Sequence, residues 1–188
     1  IYEWNSSSWV LKGSQIDASN SGEEFGSSLS INDNGNVVVI GSWYANSLDG
    51  AVRVYEWNGT NWILKGNELQ AEESSSRDYI GQALSINGDG TIIAIGVPQH
   101  SGIIDRAGCA LMYQWNGNDW IKMGNTIYAN TRLSRLGHSI SINGDGTIVA
   151  IGSYYYNWSS TGNADGAAFI YKWDGNDWVL MGNRIDAS

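Results

Sequence analysis

The chain has 188 residues, 42% of them apolar and 12% aromatic, with ten Trp and ten Tyr, which is the composition of an ordered globular protein. Ten Lys plus Arg stand against nineteen Asp plus Glu, so no positive patch is at hand for nucleic acid, and no apolar run approaches the roughly 18 to 20 residues of a membrane span. Nucleic-acid binding and membrane insertion are therefore not expected, and the single Cys109 excludes an internal disulfide and any cysteine-rich metal site.

The first element, residues 1–13, reads as a hairpin in which Tyr2-Glu3-Trp4 is followed by Trp9. The same pattern returns as Tyr55-Glu56-Trp57 with Trp62, Tyr113-Gln114-Trp115 with Trp120, and Tyr171-Lys172-Trp173 with Trp178, the copies starting 53, 58 and 58 residues apart. Self-similarity at such a period marks stacked structural repeats. Each Trp pair flanks a four-residue turn and is expected to meet across the two strands. A sugar-stacking platform is the alternative use of such rings, but identical placement in every copy favours a scaffold role.

After residue 24 each period holds two hairpins. In the first unit, Gly26 to Ile31 leads through the turn Asn32-Asp33-Asn34-Gly35 into Val37 to Gly41, and Gly50 to Trp57 leads through Asn58-Gly59-Thr60-Asn61 into Trp62 to Gly66. Clusters of Asn, Asp and Gly supply the positive φ angles of tight turns, so four strands per unit follow, A to D. Strand B is apolar at every position (Ile92 to Ile95, Ile148 to Ile151) and is expected to be covered on both faces, whereas strand C alternates in part, as nearer solvent. A four-stranded antiparallel meander packed on copies of itself is a β-propeller blade. The expected fold is thus all-β: one repeat domain over 1–188, with a leading C–D hairpin (1–13) and three complete blades at 25–66, 80–124 and 136–182. Cys109 aligns with Ala51 and Ala167 and reads as a small buried residue. Closed propellers have 4 to 8 blades, and residues 1–19 share 11 of 19 identities with 170–188. The expectation is a segment of a longer array, or a protomer whose ring or stack is completed by another chain or a copy of itself.

Phe25-Gly26, the apolar strand ending Ile40-Gly41, the segment Gly50-Ala51-Val52-Arg53-Val54-Tyr55 and Gly96-Val97-Pro98 resemble the FG-GAP repeat of integrin α-subunit propellers and their microbial relatives, over essentially the whole chain. Ile80 and Leu136 stand where the first unit has Phe25. The resemblance implies a seven-bladed extracellular propeller used in adhesion or ligand binding. Such blades often bind calcium in the A–B loop, but the corresponding positions here are Ser30, Asn32, Asn34 and Val38, then Ser85, Asn87, Asp89 and Ile93, then Ser141, Asn143, Asp145 and Val149. With so few carboxylates calcium is disfavoured and no cofactor is expected.

Short, nearly constant A–B and C–D turns lie on one rim and variable B–C and D–A loops on the other, where binding usually resides. Trp43, Tyr44, His100, Arg106, Tyr154, Tyr155, Tyr156 and Trp158 in the B–C loops are the candidate ligand or partner contacts, the Tyr154–Trp158 run first among them. Glu23-Glu24 and Glu72-Glu73 in the D–A loops read as solvated charge. No catalytic pair, phosphate loop or zinc spacing is present. Asn5, Asn58 and Asn157 open sequons and are candidate N-glycosylation sites, which with the Trp-, Tyr-, Asn- and Ser-rich composition points to an extracellular or cell-surface location. The function expected is a non-enzymatic module for adhesion, protein–protein interaction or assembly. A glycan-binding propeller is the alternative, and a propeller-scaffold hydrolase or lyase ranks third.

Overall fold

The Asn that opens each A–B turn shows why these segments fold back. Asn32 Oδ1 accepts the backbone N–H of Asn36 and Val37, Asn87 those of Thr91 and Ile92, and Asn143 those of Thr147 and Ile148, all at 2.8 to 3.0 Å. A side-chain acceptor thus takes up amides that the ladder cannot pair, and strand B starts at once.

A computed structural model describes residues 1–70, 78–102, 104–156 and 165–186. β1 (Tyr2–Trp4) and β2 (Trp9–Leu11) form the leading hairpin. The first blade is β3 (Ser28–Ile31), β4 (Val37–Ser42), β5 (Ala51–Trp57) and β6 (Trp62–Leu64), each antiparallel to the next. The second is β7 (Ala83–Ile86), β8 (Ile92–Val97), β9 (Cys109–Trp115) and β10 (Trp120–Lys122), followed by the short β11 (Ile127–Tyr128). The third is β12 (Leu136–Ile142), β13 (Ile148–Ser153), β14 (Ala167–Trp173) and β15 (Trp178–Leu180), followed by β16 (Ile185–Asp186). These are propeller blades stacked in an open run. Among the described residues no helix is long and apolar enough to cross a membrane.

The outer strand does not stop at Gly66, Gly124 and Gly182 as its sequence pattern suggests. After a break at each glycine it rejoins the lower half of strand C: Leu69 bridges Val52, β11 pairs with Ala110 and Cys109, and β16 pairs with Ala168 and Ala167. Strand C is thereby paired on its outer side near both of its ends.

The core lies between sheets. One apolar cluster joins Val37, Val39, Val52, Val54 and Leu69 of the first blade to Ile86, Ile93, Ile95 and Leu111 of the second. Another joins Ala94, Met112 and Ile127 of the second to Val149, Ile151 and Trp178 of the third. A smaller one seats Ile1 and Ile16 on Val38, Ile40 and Trp62. Strands β4 and β8 are buried at every position, as expected, but β13 is buried only at alternate residues. The third blade has a neighbour on one face alone, so its apolar strand B is half open.

Close approach at the inner end of the stack depends on a glycine at the next-to-last position of β4 and of β8. A Cβ on Gly41 would lie 2.2 Å from the Gly81 carbonyl oxygen, and one on Gly96 1.9 Å from that of Gly137. Here the next blade's A strand runs directly over the backbone. Ser30 Oγ accepts from Ile86 N (3.1 Å) and Ser85 Oγ from Ile142 N (3.0 Å), so consecutive A strands are also tied by hydrogen bonds.

Candidate functional site

The repeated Trp hairpin is a clasp between blades. Within each hairpin the two rings meet across the strands, with centroids 5.3 to 5.7 Å apart. The second ring then reaches back: Trp62 Nε1 donates to Lys12 O (2.8 Å), Trp120 Nε1 to Lys65 O (2.8 Å) and Trp178 Nε1 to Met123 O (2.9 Å). The residue before each of these rings accepts the backbone N–H beyond the preceding blade's glycine, Asn61 from Ser14, Asp119 from Asn67 and Asp177 from Asn125, at 2.8 to 2.9 Å. These amide bonds, from Asn67 and from Asn125, hold the carboxyls of Asp119 and Asp177 below the usual carboxylate range. Gly66 and Gly124 are needed in between, because a Cβ there would sit 2.8 Å from Trp115 and Trp173. Lys12 and Lys65 complete the contact by lying 5.1 Å over Trp57 and Trp115.

At the two ends of the stack the clasp is open. Trp9 is 68% exposed, whereas its counterparts Trp62, Trp120 and Trp178 are 7, 6 and 7% exposed. Tyr2, Trp4, Leu29 and Ile31 on the same side are exposed as well. At the far end Ile185 is 60% exposed against 7% for Leu69 and 8% for Ile127, and Met181 is exposed where Met123 is buried. Ile148, Ala150, Ala168 and Ile170, whose equivalents in the second blade are buried, are only partly covered. Two faces that are core elsewhere in the same chain are therefore surface here, one with an unclasped indole, the other with the backbone that an indole grips.

The variable rim is more buried than the sequence suggests. Trp43, half-buried, and Tyr44, exposed, do come together, joined by Tyr79 from the next D–A loop at ring distances of 4.4 to 6.1 Å. Tyr154 is exposed and stacks on His138 (4.2 Å) and Tyr155 (4.3 Å). Arg106 is exposed in a separate loop. Tyr156 is not a surface contact: it is buried edge-on to Phe169 under the Arg184 guanidinium. His100 is not one either. It is buried, with Nδ1 3.0 Å from Asp78 Oδ2. Trp158 and Asn157, like Glu72 and Glu73, lie outside the described residues.

Glu23 is likewise buried, not solvated. Arg53, in a strand position that carries Leu111 and Phe169 in the other blades, bonds Glu23 at 2.8 Å and Glu68 at 2.6 Å. The Arg53 hydrogen bond, against the opposing effect of burial, holds the Glu23 carboxyl below the usual carboxylate range. A depressed carboxylate stabilises the fold fully above its unfolded pKa of about 4.3, and that stabilisation is lost as the pH falls through the lower folded value. Thermal unfolding followed from neutral pH downward should show wild type losing stability below about pH 4.3 more steeply than Glu23→Gln; parallel slopes would remove the ion pair from the account.

Near the axis, Ser27, Gln82 and His138, which occupy the same position in the three blades, line with Trp43 a cavity of about 300 Å³. Among the described residues no three His, Cys, Asp or Glu side chains converge as metal ligands would. Burial pushes the Cys109 thiol up to about 12, which leaves it protonated and unreactive. Asn5 and Asn58 are exposed in C–D turns, each holding its turn through Oδ1.

The chain matches no protein-family model and no curated protein. Among solved structures it is similar to the tricorn protease (TM-score 0.47, 11% identity, 77% of this chain and 13% of that one). It is also similar to TolB from Acinetobacter baumannii (TM-score 0.45, 9% identity, 81% of this chain and 31% of that one). The chain thus spans less than a third of either protein, and the reading of its site rests on its own geometry.

Sequence reasoning missed three parts of this arrangement: the backward reach of the second Trp, the Glu23–Arg53 pair and the Asp78–His100 pair. The first had a signal in the Asn or Asp that precedes Trp62, Trp120 and Trp178 and in the glycine four residues beyond each ring. Arg53 in a buried strand position was a signal of the second.

Proposed function

We propose that this chain is a non-enzymatic β-propeller module for protein–protein assembly, acting outside the cell or at its surface by adding blade to blade. The observation that carries the reading is Trp9, an indole placed like three clasped ones and left open, opposite an end face where Met181 O and Asn183 repeat the gripped backbone. The partner that fits is a further blade, whether of a longer array, a second copy or a related chain, because the faces to be covered are those that blades cover inside the chain. The FG-GAP resemblance supports an adhesive role of integrin-like kind, and the exposed Asn5 and Asn58 sequons support an extracellular setting. The axial Ser27, Gln82 and His138 beside Trp43 favour a second reading, a glycan site, since hydroxyl, amide and imidazole groups around one ring suit a saccharide.

Sedimentation velocity over a wide concentration range tests the first reading. Association that rises with concentration and is lost in Trp9→Ser and in Ile185→Glu supports it. A species that stays monomeric throughout, or association indifferent to both substitutions, overturns it. For the second reading, a saccharide panel that perturbs Trp43 is the expected result.

A further inference from the structure

Two residues before each blade, the D–A loop drops a polar side chain into the interior: Glu23, Asp78 and Ser134, all buried. Glu23 meets Arg53, and Ser134 Oγ donates to Ala107 O at 2.8 Å. Asp78 meets His100, and here the polar chemistry is not closed. His100 stands where the other B–C loops have Ala45 and Tyr156, and its carbonyl accepts Gly108 N as Ala45 O accepts Gly50 N. The loop backbone thus fixes the ring inside rather than outside. His100 is 7% exposed, and its Nε2 is buried with no hydrogen-bond partner among the described residues.

A carboxylate can only accept, so the Asp78 contact places an imidazole proton on Nδ1, and in the neutral ring Nε2 is then a lone-pair acceptor. His100 lines a cavity of about 400 Å³ with Gly102, Ile104, Ala107, Gly108, Tyr128 and Ala129. Gly102 stands against Nε2, where a Cβ would be 3.1 Å away, and the Tyr128 ring lies 5.7 Å from the imidazole. Apart from the Tyr128 hydroxyl the described walls are apolar, and among the described lining residues there is no Ser, Thr or Cys. A buried unsatisfied acceptor costs stability that a ligand's donor would restore.

We propose that this cavity is a binding site for an uncharged, mainly apolar molecule of one or two rings carrying a hydroxyl, which donates to His100 Nε2 while the rings lie against Ile104, Ala107 and Tyr128. Asp78 is a positioning residue that sets the tautomer. The site is independent of the end faces, so it stands or falls apart from the assembly reading.

The test is a titration of the full chain, labelled with 15N, with 2-naphthol, naphthalene and 2-naphthoate. The expected result is that 2-naphthol shifts the His100 Nε2 resonance at saturation and binds about tenfold tighter than naphthalene, the worth of one hydrogen bond. His100→Leu should bring 2-naphthol down to the naphthalene affinity, and Asp78→Asn should weaken 2-naphthol binding while changing the tautomer read from the wild-type-like nitrogen shifts. If either variant fails to fold, the wild-type nitrogen shifts and the 2-naphthol to naphthalene ratio decide alone. An unmoved His100 resonance, equal binding of naphthalene, or tighter binding of 2-naphthoate would each overturn the proposal.

Discussion

Gly96→Ala should lower stability by at least about 3 kcal/mol, a drop in melting temperature of the order of 10 °C for a chain of this size. The reason is steric and has no side-chain escape. The new Cβ would lie 1.9 Å from Gly137 O and 2.8 Å from its carbonyl carbon, so the second and third blades would have to move apart along their A strands. That movement would also stretch the Ser85 to Ile142 bond and open the apolar cluster behind it. Gly144→Ala is the control: the position has open space and an ordinary φ, and the change should stay within about 0.5 kcal/mol. Melting followed by circular dichroism separates the two, and a near-neutral Gly96→Ala would mean that the blades do not approach as described.

Trp120→Ala should cost about 3 to 5 kcal/mol, whereas Trp9→Ala at the same position of the repeat should cost a few tenths in the isolated chain. Trp120 fills the seam between the first and second blades and satisfies Lys65 O, and its removal leaves a cavity and an unpaired carbonyl together. Trp120→Phe keeps much of the volume and loses the donor, so an intermediate cost of about 1 to 2 kcal/mol is expected, most of it from the abandoned carbonyl. Denaturant unfolding of the three variants gives the comparison. Equal costs for Trp9 and Trp120 would contradict the clasp, since only Trp120 has a preceding segment in its grip.

The blades are legible in the amino-acid sequence and the sites are not, because the interactions that build them act over different ranges. Turn chemistry and strand pattern are local. Asn32, Asn87 and Asn143 close their hairpins through amides four and five residues on, and the all-apolar strand B reports burial in the first two blades. Cross-strand pairing of Trp57 with Trp62 follows from a four-residue turn and a period of two. The contacts that build the candidate sites are longer. Trp120 grips Lys65 across 55 residues, Asp78 finds His100 across 22, and Arg53 finds Glu23 across 30. Each joins segments whose spacing depends on how the sheets stack. His100 and Tyr156 read as surface residues because B–C loops are variable, yet the His100 carbonyl is tied to Gly108 before strand C, which turns that side chain inward, and Tyr156 packs edge-on to Phe169. Repeat alignment does hold usable information here. Comparing Trp9 with Trp62, or Ile185 with Leu69, turns an exposed apolar residue from an oddity into an unfilled copy of a known contact.

One clasp joins blade to blade inside the chain and, in the assembly proposed here, chain to chain outside it. Hydrogen exchange of the indole N–H groups reads this most directly. Trp62, Trp120 and Trp178, each bonded to a carbonyl of the preceding segment, should exchange slowly at every concentration. Trp9 should exchange fast in dilute solution and slow progressively as concentration rises, approaching the other three. If Trp9 exchanges at the same fast rate in concentrated solution while association is under way, chains meet through some other surface; if Trp62, Trp120 and Trp178 exchange as fast as Trp9, the clasp does not exist.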